Sequence, residues 1–142
     1  ELLAEYTETS DYAMMMAGAS LRVVLATIHQ SLASVPAALT AEGITALILL
    51  AAESLQCDFG IPNPRIAVAG LNPHAGEDAM FGREEEECIV PAVAAAAAAG
   101  WRVSGPYPPD TVFHRAASGH FDLVVCMYHD QGLIPFKLLH FK

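Results

Sequence analysis

Short apolar runs alternate with longer helical segments along this chain, and this alternation constrains its fold more than any other feature. Four runs are typical of strands buried on both faces: Leu21–Thr27, Arg65–Gly70, Trp101–Ser104 and Asp122–Met127. Helical spacing predicts helices from Thr40 to Phe59, Glu84 to Gly100 and Thr111 to Ser118, with a rigid turn at Pro106–Asp110. We therefore expect an α/β fold, a mainly parallel sheet flanked by helices, with its sites at the carboxyl ends of the strands.

The composition fits a packed domain and argues against anionic partners. Hydrophobic residues make up 54% of the chain and charged residues 16%, far from the composition of disordered proteins. No run of about 18 uninterrupted apolar residues occurs, so we expect a soluble protein. The formal net charge of -9 repels phosphate backbones and anionic lipid, which disfavours nucleic acid and membrane partners.

The three cysteines predict neither a disulfide framework nor a local metal site. Cys57, Cys88 and Cys126 are odd in number, far apart and embedded in apolar sequence. We expect buried thiols in a protein of the reducing cytoplasm.

Polar residues cluster just after three of the predicted strands, and each cluster contains a histidine. His29 follows the first strand, His74 lies in the loop Leu71–Gly82, and His129 lies in the run Tyr128–Gly132, with Lys137 a little further on. Their separations match no local zinc signature, so a metal site would have to be assembled by tertiary or quaternary structure. The acidic run Glu84–Glu87 is interpreted as a charged helix start that complements the helix dipole.

Several of these motifs together resemble the 4-hydroxythreonine-4-phosphate dehydrogenase family. The resemblance is carried by Leu71–Glu77, Gly105–Thr111 and Met127–Gly132, and it extends in the same order to Glu1–Glu5, Met14–Met16 and Leu21–His29. It covers essentially the whole chain. It implies an isocitrate/isopropylmalate dehydrogenase-like fold and a homodimer whose active sites use residues of both subunits, with His29 from one subunit and His74 and His129 from the other.

The resemblance also implies the chemistry of the site. His29, His74 and His129 would bind one divalent metal ion (Zn²⁺, Mg²⁺ or Co²⁺), and Lys137 would contact substrate or donate a proton. The implied reaction is the NAD- or NADP-dependent oxidation and decarboxylation of 4-phosphooxy-L-threonine to 3-amino-2-oxopropyl phosphate, in pyridoxal 5'-phosphate (vitamin B6) synthesis. Asp130 and Asp110 are candidates for orienting a histidine or relaying a proton, because a ligating imidazole normally donates its other N–H to an acceptor. His114, His120 and His140 are expected to be surface or packing residues.

The ends of the chain predict a piece of a longer protein. The sequence opens without Met and stops in the apolar segment Leu138–Lys142, so we expect truncation at both ends. Residues 1–142 would then be the central metal-binding and dimerisation part of a longer two-domain dehydrogenase. A substrate-binding His-Thr pair would precede Glu1. Most of the nicotinamide site would follow Lys142, which agrees with the lack of a G-x-G-x-x-G fingerprint here. This segment alone is not expected to catalyse the full reaction.

Three alternatives remain open from the sequence. A related dehydrogenase would act on 4-phosphothreonate or 4-phosphoerythronate with the same three histidines. A non-catalytic metal-binding or dimerisation module would bind metal tightly without turnover. A three-histidine metal hydrolase would hold hydroxide at its open metal position and need no nicotinamide.

Overall fold

The fold is built on one five-stranded sheet, as seen in a computed structural model that describes residues 2–140. The strands are β1 (Met14–Ala17), β2 (Arg22–Leu25), β3 (Ile66–Ala69), β4 (Val103–Tyr107) and β5 (Leu123–Cys126). Their order across the sheet is β1-β2-β5-β3-β4. Strands β2, β5, β3 and β4 run parallel, and β1 pairs antiparallel with β2. The expected α/β class with a mainly parallel sheet is confirmed.

Helices cover both faces of this sheet. They are α1 (Leu2–Tyr6), α2 (Val35–Ala38), α3 (Ala41–Cys57), α4 (Val90–Ala98), α5 (Pro109–Ala117) and α6 (His129–His140). Short 3₁₀ turns span Leu32–Ser34 and Pro73–Gly76, and a π-helical segment, Glu85–Ile89, leads into α4. The helix predicted from Thr40 is capped as expected, since the Thr40 hydroxyl accepts a hydrogen bond from the Gly43 N–H at 3.0 Å.

Alternating side chains of the strands divide the core into two layers. On β3, Ile66 and Val68 face the layer that contains α3 and α4, whereas Ala67 and Ala69 face the layer that contains α5 and α6. All four residues are fully buried. A strand that packs helices on both faces reads as a continuous apolar run, which is why the sequence located β2, β3 and β5.

Two strands differ from the expectation. Strand β1, Met14–Ala17, was not predicted, because its four residues are methionine and alanine and include none of the β-branched or aromatic side chains that favour a strand. Strand β4 lies at Val103–Tyr107, later than the predicted Trp101–Ser104, and it includes Pro106, which was predicted to lie in a turn. Proline is tolerated there because β4 is an edge strand, where a missing N–H breaks no ladder. Helix α5 then begins at Pro109, inside the predicted turn.

The cysteines are free thiols in three different environments. Cys126 is fully buried on β5, and burial raises the pKa of its thiol. Cys88 is half-buried, and burial is also the main reason that its pKa is raised. Cys57 is exposed, so the expectation of a buried thiol is wrong at this position: the buried side of α3 carries Ala51, Ala52 and Leu55 instead.

Across residues 2–140, no single helix is both long and apolar enough to cross a membrane. Two helical segments, Leu32–Ala38 and Ala41–Cys57, are together long and apolar enough by length and composition only, and they are bent by 93° relative to each other.

An ion pair fastens the amino-terminal ends of β3 and β5 to each other. Arg65 donates from Nε to Asp122 Oδ2 at 3.0 Å and from Nη2 to Oδ1 at 2.9 Å, and its backbone N–H donates to Oδ2 at 2.7 Å. The pKa of Asp122 lies below its usual value, mainly because its carboxylate accepts hydrogen bonds from the Arg65 side chain.

We expect Asp122→Asn to remove stability that depends on pH. Because the pKa of Asp122 is lower in the folded than in the unfolded protein, its ionised carboxylate stabilises the fold above the unfolded pKa of about 3.9. This contribution is lost as the pH falls through the folded pKa. At pH 7 the variant should unfold with about 1 kcal/mol less free energy, since the pair is partly exposed. Urea unfolding at several pH values measures this difference. The unfolding free energies of wild type and variant should converge in acid, and a difference that stays constant down to pH ~2 would contradict the prediction.

Candidate metal centre

The carboxyl ends of the four parallel strands meet at one edge of the sheet, called here the carboxyl edge. His29 follows β2, His129 opens α6 directly after β5, His74 lies in the turn after β3, and Asp110 lies at the start of α5 after β4. All four expected polar residues therefore emerge at the same edge, as parallel strands dictate.

His29 and His129 form the centre of this edge. Because β2 and β5 are neighbouring parallel strands, their exits are adjacent, and the two imidazole rings lie with centroids 5.5 Å apart at 43°. His29 is exposed and the side chain of His129 is 32% exposed, so both can reach a ligand from solvent. Two imidazoles this close can contribute to one coordination sphere.

Asp130 contacts one of these rings. His129 Nδ1 lies 2.7 Å from Asp130 Oδ1, so an Nδ1–H would donate to the carboxylate. This hydrogen bond selects the tautomer in which the lone pair on Nε2 is available to a metal. Acceptors of this kind commonly support ligating histidines.

His74 does not join the pair within one chain. It is exposed in the turn Pro73–Gly76, with its ring 6.1 Å from that of Phe81. Among residues 2–140 no three His, Cys, Asp or Glu side chains are grouped closely enough to hold a metal ion. The observed pairing of His29 with His129 also differs from the expected division, in which His129 shares a subunit with His74 and His29 comes from the partner.

The turn that carries His74 has an unusual backbone. His74 (φ 54°) and Ala75 (φ 55°) are both left-handed, and so are Glu77, Asp78 and Ala79 beyond it. Each such non-glycine residue costs of the order of 1–3 kcal/mol and persists only where the surrounding structure determines it. Contacts with the surrounding protein must therefore hold the turn in this conformation.

Glu85 provides that support, and the sequence analysis missed it. Its side chain is 3% exposed, and Oε1 accepts hydrogen bonds from the backbone N–H groups of Leu71 at 2.8 Å and Asn72 at 2.7 Å. Oε2 accepts from Asn72 Nδ2 at 2.9 Å. The acidic run is thus not simply a charged helix start. A signal was present, since Glu85 occupies the same helical stripe as the buried Ile89, Ala92 and Ala96.

Lys137 and Asp110 lie further from the histidine pair. Lys137 is exposed on α6, two helical turns or about 12 Å along the axis from His129. Asp130, Ile134 and Lys137 follow i, i+4, i+7 spacing, so they share one exposed face of α6. Asp110 is exposed in the first turn of α5, the helix that contacts the Pro73–Gly76 turn.

The remaining histidines occupy surface or packing positions, as expected. His114 is exposed, and His120 Nδ1 lies 3.2 Å from the Arg115 carbonyl oxygen. His140 packs on Phe136 at 4.8 Å between ring centroids, and its Nε2 lies 3.1 Å from the Ser20 hydroxyl.

A cavity of about 390 Å³ adjoins His29. It is lined largely by α1 and the segment before β1, including Leu3, Thr7 and Tyr12, with Ile28 and His29 on the sheet side. Its wall is mainly apolar with a few hydroxyl groups.

Comparison with known proteins identifies the family. The family model described as "Pyridoxal phosphate biosynthetic protein PdxA" matches residues 1–142. The chain belongs to the PdxA family. This finding confirms the resemblance seen in the sequence.

Similar proteins and solved structures agree with this membership in sequence and in fold. A 4-hydroxythreonine-4-phosphate dehydrogenase of Desulforapulum autotrophicum is 62% identical over 100% of this chain and 42% of its own length. The crystal structure of the Klebsiella pneumoniae enzyme of that name matches with a TM-score of 0.94 and 51% identity, over 99% of this chain and 43% of its own. A terephthalate 1,2-cis-dihydrodiol dehydrogenase of Burkholderia xenovorans matches with a TM-score of 0.83 and 36% identity, over 90% and 40%. The chain thus spans less than half the length of these relatives.

Proposed function

We propose that this chain is the metal-binding and dimer-forming part of a 4-hydroxythreonine-4-phosphate dehydrogenase. The whole enzyme would oxidise and decarboxylate 4-phosphooxy-L-threonine with NAD or NADP, giving 3-amino-2-oxopropyl phosphate for pyridoxal 5'-phosphate synthesis. The observation that carries the proposal is the close pair of His29 and His129 at the carboxyl edge of a PdxA-family fold. No residue of the described chain is assigned to the nicotinamide.

The metal would be held by His29 and His129 of one subunit and His74 of the other. The donor set fits a divalent ion: three neutral imidazoles suit Zn²⁺ or Co²⁺ better than Mg²⁺ and leave coordination positions open. His74 is exposed and lies outside the pair, which supports a ligand role across a dimer interface. The bound ion would supply a Lewis acid for the reacting substrate oxygen.

The other residues at the site would orient ligands and attract the substrate. Asp130 would hold the His129 ring with Nε2 toward the metal. Lys137 would bind an anionic group of the phosphorylated substrate or donate a proton. It is the one lysine between residues 2 and 140 of a chain with net charge -9, so it offers positive charge where little exists. Asp110 would relay a proton or orient a histidine from the start of α5.

The exact substrate is a separate question from the metal site. A dehydrogenase named for a terephthalate dihydrodiol shares this fold. The fold of this segment is therefore compatible with more than one class of substrate. Oxidation of 4-phosphothreonate or 4-phosphoerythronate through the same three histidines is the second candidate.

Metal binding by the wild-type chain tests the proposal. We expect about one Zn²⁺ or Co²⁺ per chain, because each copy contributes three imidazoles to the sites of a dimer. His29→Ala should lose this metal, whereas His114→Ala, a change at an exposed histidine of α5, should keep it. Equilibrium dialysis with metal analysis measures both variants. Equal metal in His29→Ala and wild type would overturn the ligand assignment.

A further inference from the structure

Three polar side chains are buried in the part of the chain that the structure describes, and all three lie at the carboxyl edge. They are Thr27, Glu85 and Gln131, with exposed fractions of 6%, 3% and 6%. Burying a polar group is unfavourable unless it is hydrogen-bonded, so their partners indicate why they are there. Each one bonds mainly to backbone groups of a segment that leads to a histidine.

Thr27 joins the exits of β2 and β5. Its hydroxyl donates to the Met127 carbonyl oxygen at 2.7 Å. The regular pairing of the two strands ends at Leu25 and Cys126, so this hydrogen bond extends the link two residues toward His29 beyond β2 and one residue toward His129 beyond β5. The separation of the two rings follows from the backbone that Thr27 holds.

Gln131 joins the exits of β5 and β3. Its Oε1 accepts from the Met127 N–H at 2.7 Å, and its Nε2 donates to the Gly70 carbonyl oxygen at 2.8 Å. Met127 lies two residues before His129, and Gly70 is the last residue before the segment that carries His74. One amide thus sets the distance between the two loops. Glu85 continues the network by holding Leu71 and Asn72.

We propose that Gln131 is a positioning residue of the three-histidine site, with Thr27 and Glu85 as the flanking tethers. The inference rests on the proposed metal function. Gln131 touches neither metal nor substrate in this assignment: it acts through the backbone, keeping the His129 and His74 segments at the separation that a shared ion requires. Side chains that support ligands typically change metal affinity about 10- to 100-fold when they are removed.

If Gln131 were only structural, its replacement would lower stability without affecting the ligands. The same pair of strands offers a matched control. Asp122 joins the opposite, amino-terminal ends of β3 and β5 through Arg65. Gln131→Met removes, and Asp122→Asn weakens, a side-chain tether between the same two strands, but only the first change lies at the carboxyl edge. Gln131→Glu keeps the acceptor for Met127 but places an oxygen against the Gly70 carbonyl oxygen in place of the donor, so it should also weaken Co²⁺ binding.

The test is a titration of the wild-type chain and the three variants with Co²⁺, followed by visible absorption, with thermal unfolding recorded in parallel. We expect Gln131→Met to weaken Co²⁺ binding about tenfold or more and to alter the absorption bands. Asp122→Asn should lower the melting temperature yet bind Co²⁺ within about twofold of wild type with the same spectrum, because distant sites act independently.

Three results would overturn the proposal, and they are distinguishable. If Gln131→Met and Gln131→Glu bind Co²⁺ as wild type does, or if all variants weaken in proportion to their lost stability, Gln131 is structural only and the metal site stands. If the wild-type chain itself binds no Co²⁺, the metal function fails and the positioning role fails with it. If Gln131→Met does not fold, Gln131→Glu decides whether Gln131 positions the ligands or is structural only.

Discussion

Mixed dimers of His74→Ala and His129→Ala chains are expected to bind metal that neither variant binds alone. In the proposed arrangement a site takes His29 and His129 from one subunit and His74 from the other. The His74→Ala chain keeps the histidine pair and the His129→Ala chain keeps His74, so a mixed dimer regains one complete site. With random exchange about one quarter of the wild-type metal should return, since half the dimers are mixed and each restores one of two sites.

The choice of variants makes the result specific to this arrangement. A mixture of His29→Ala with His129→Ala should not recover metal, because both chains lack part of the same pair. The division implied by the family resemblance, with His74 and His129 in one subunit, predicts the reverse: rescue in the second mixture and none in the first. A site within one chain predicts rescue in neither. Metal content after subunit exchange, measured on the isolated dimer, separates the three arrangements.

The positions of the histidines could be predicted from the sequence, but their pairing could not. Each follows a short apolar run, and such runs are readily interpreted as parallel strands. Chain order alone suggests that β3 lies next to β2, which would bring the His74 loop beside His29. In the structure β5 inserts between them, and this places His129 beside His29 instead. Strand order depends on how helices pack across both faces, which local patterns do not encode.

Helix α6 shows a second limit of local reasoning. Gly132 and Pro135 both disfavour a helix, so local propensity alone does not predict one around Lys137. The structure has one helix from His129 to His140. A Cβ on Gly132 would lie 2.8 Å from Leu25 Cδ2 and 3.0 Å from Cys126 Sγ, so glycine lets α6 approach the sheet directly beneath the histidine pair. The helix is stabilised by this packing rather than by propensity.

Glu85→Ala is expected to cause the largest loss of stability from a single change at the site. It removes the acceptor for the Leu71 and Asn72 backbone N–H groups and one of two acceptors for the Asn72 side chain, which also donates to Glu84 Oε2 at 2.7 Å. Glu85 itself is 3% exposed. We expect the free energy of unfolding to fall by about 2–4 kcal/mol, because two backbone donors lose hydrogen bonds to a buried carboxylate and the strained turn loses its support. Urea unfolding monitored by circular dichroism measures the change.

A neighbour in the same acidic run supplies the control. Glu86 is exposed and forms a long ion pair with Arg83 at 4.0 Å, so Glu86→Ala should change stability by no more than about 0.5 kcal/mol. The two variants alter charge equally, so a difference between them reports burial and hydrogen bonding. Hydrogen exchange adds a local measurement: the Leu71 and Asn72 amides should lose protection in Glu85→Ala and keep it in Glu86→Ala. Equal stability and equal protection would mean that the carboxylate does not hold the turn, and the left-handed conformation of His74 would then need another cause.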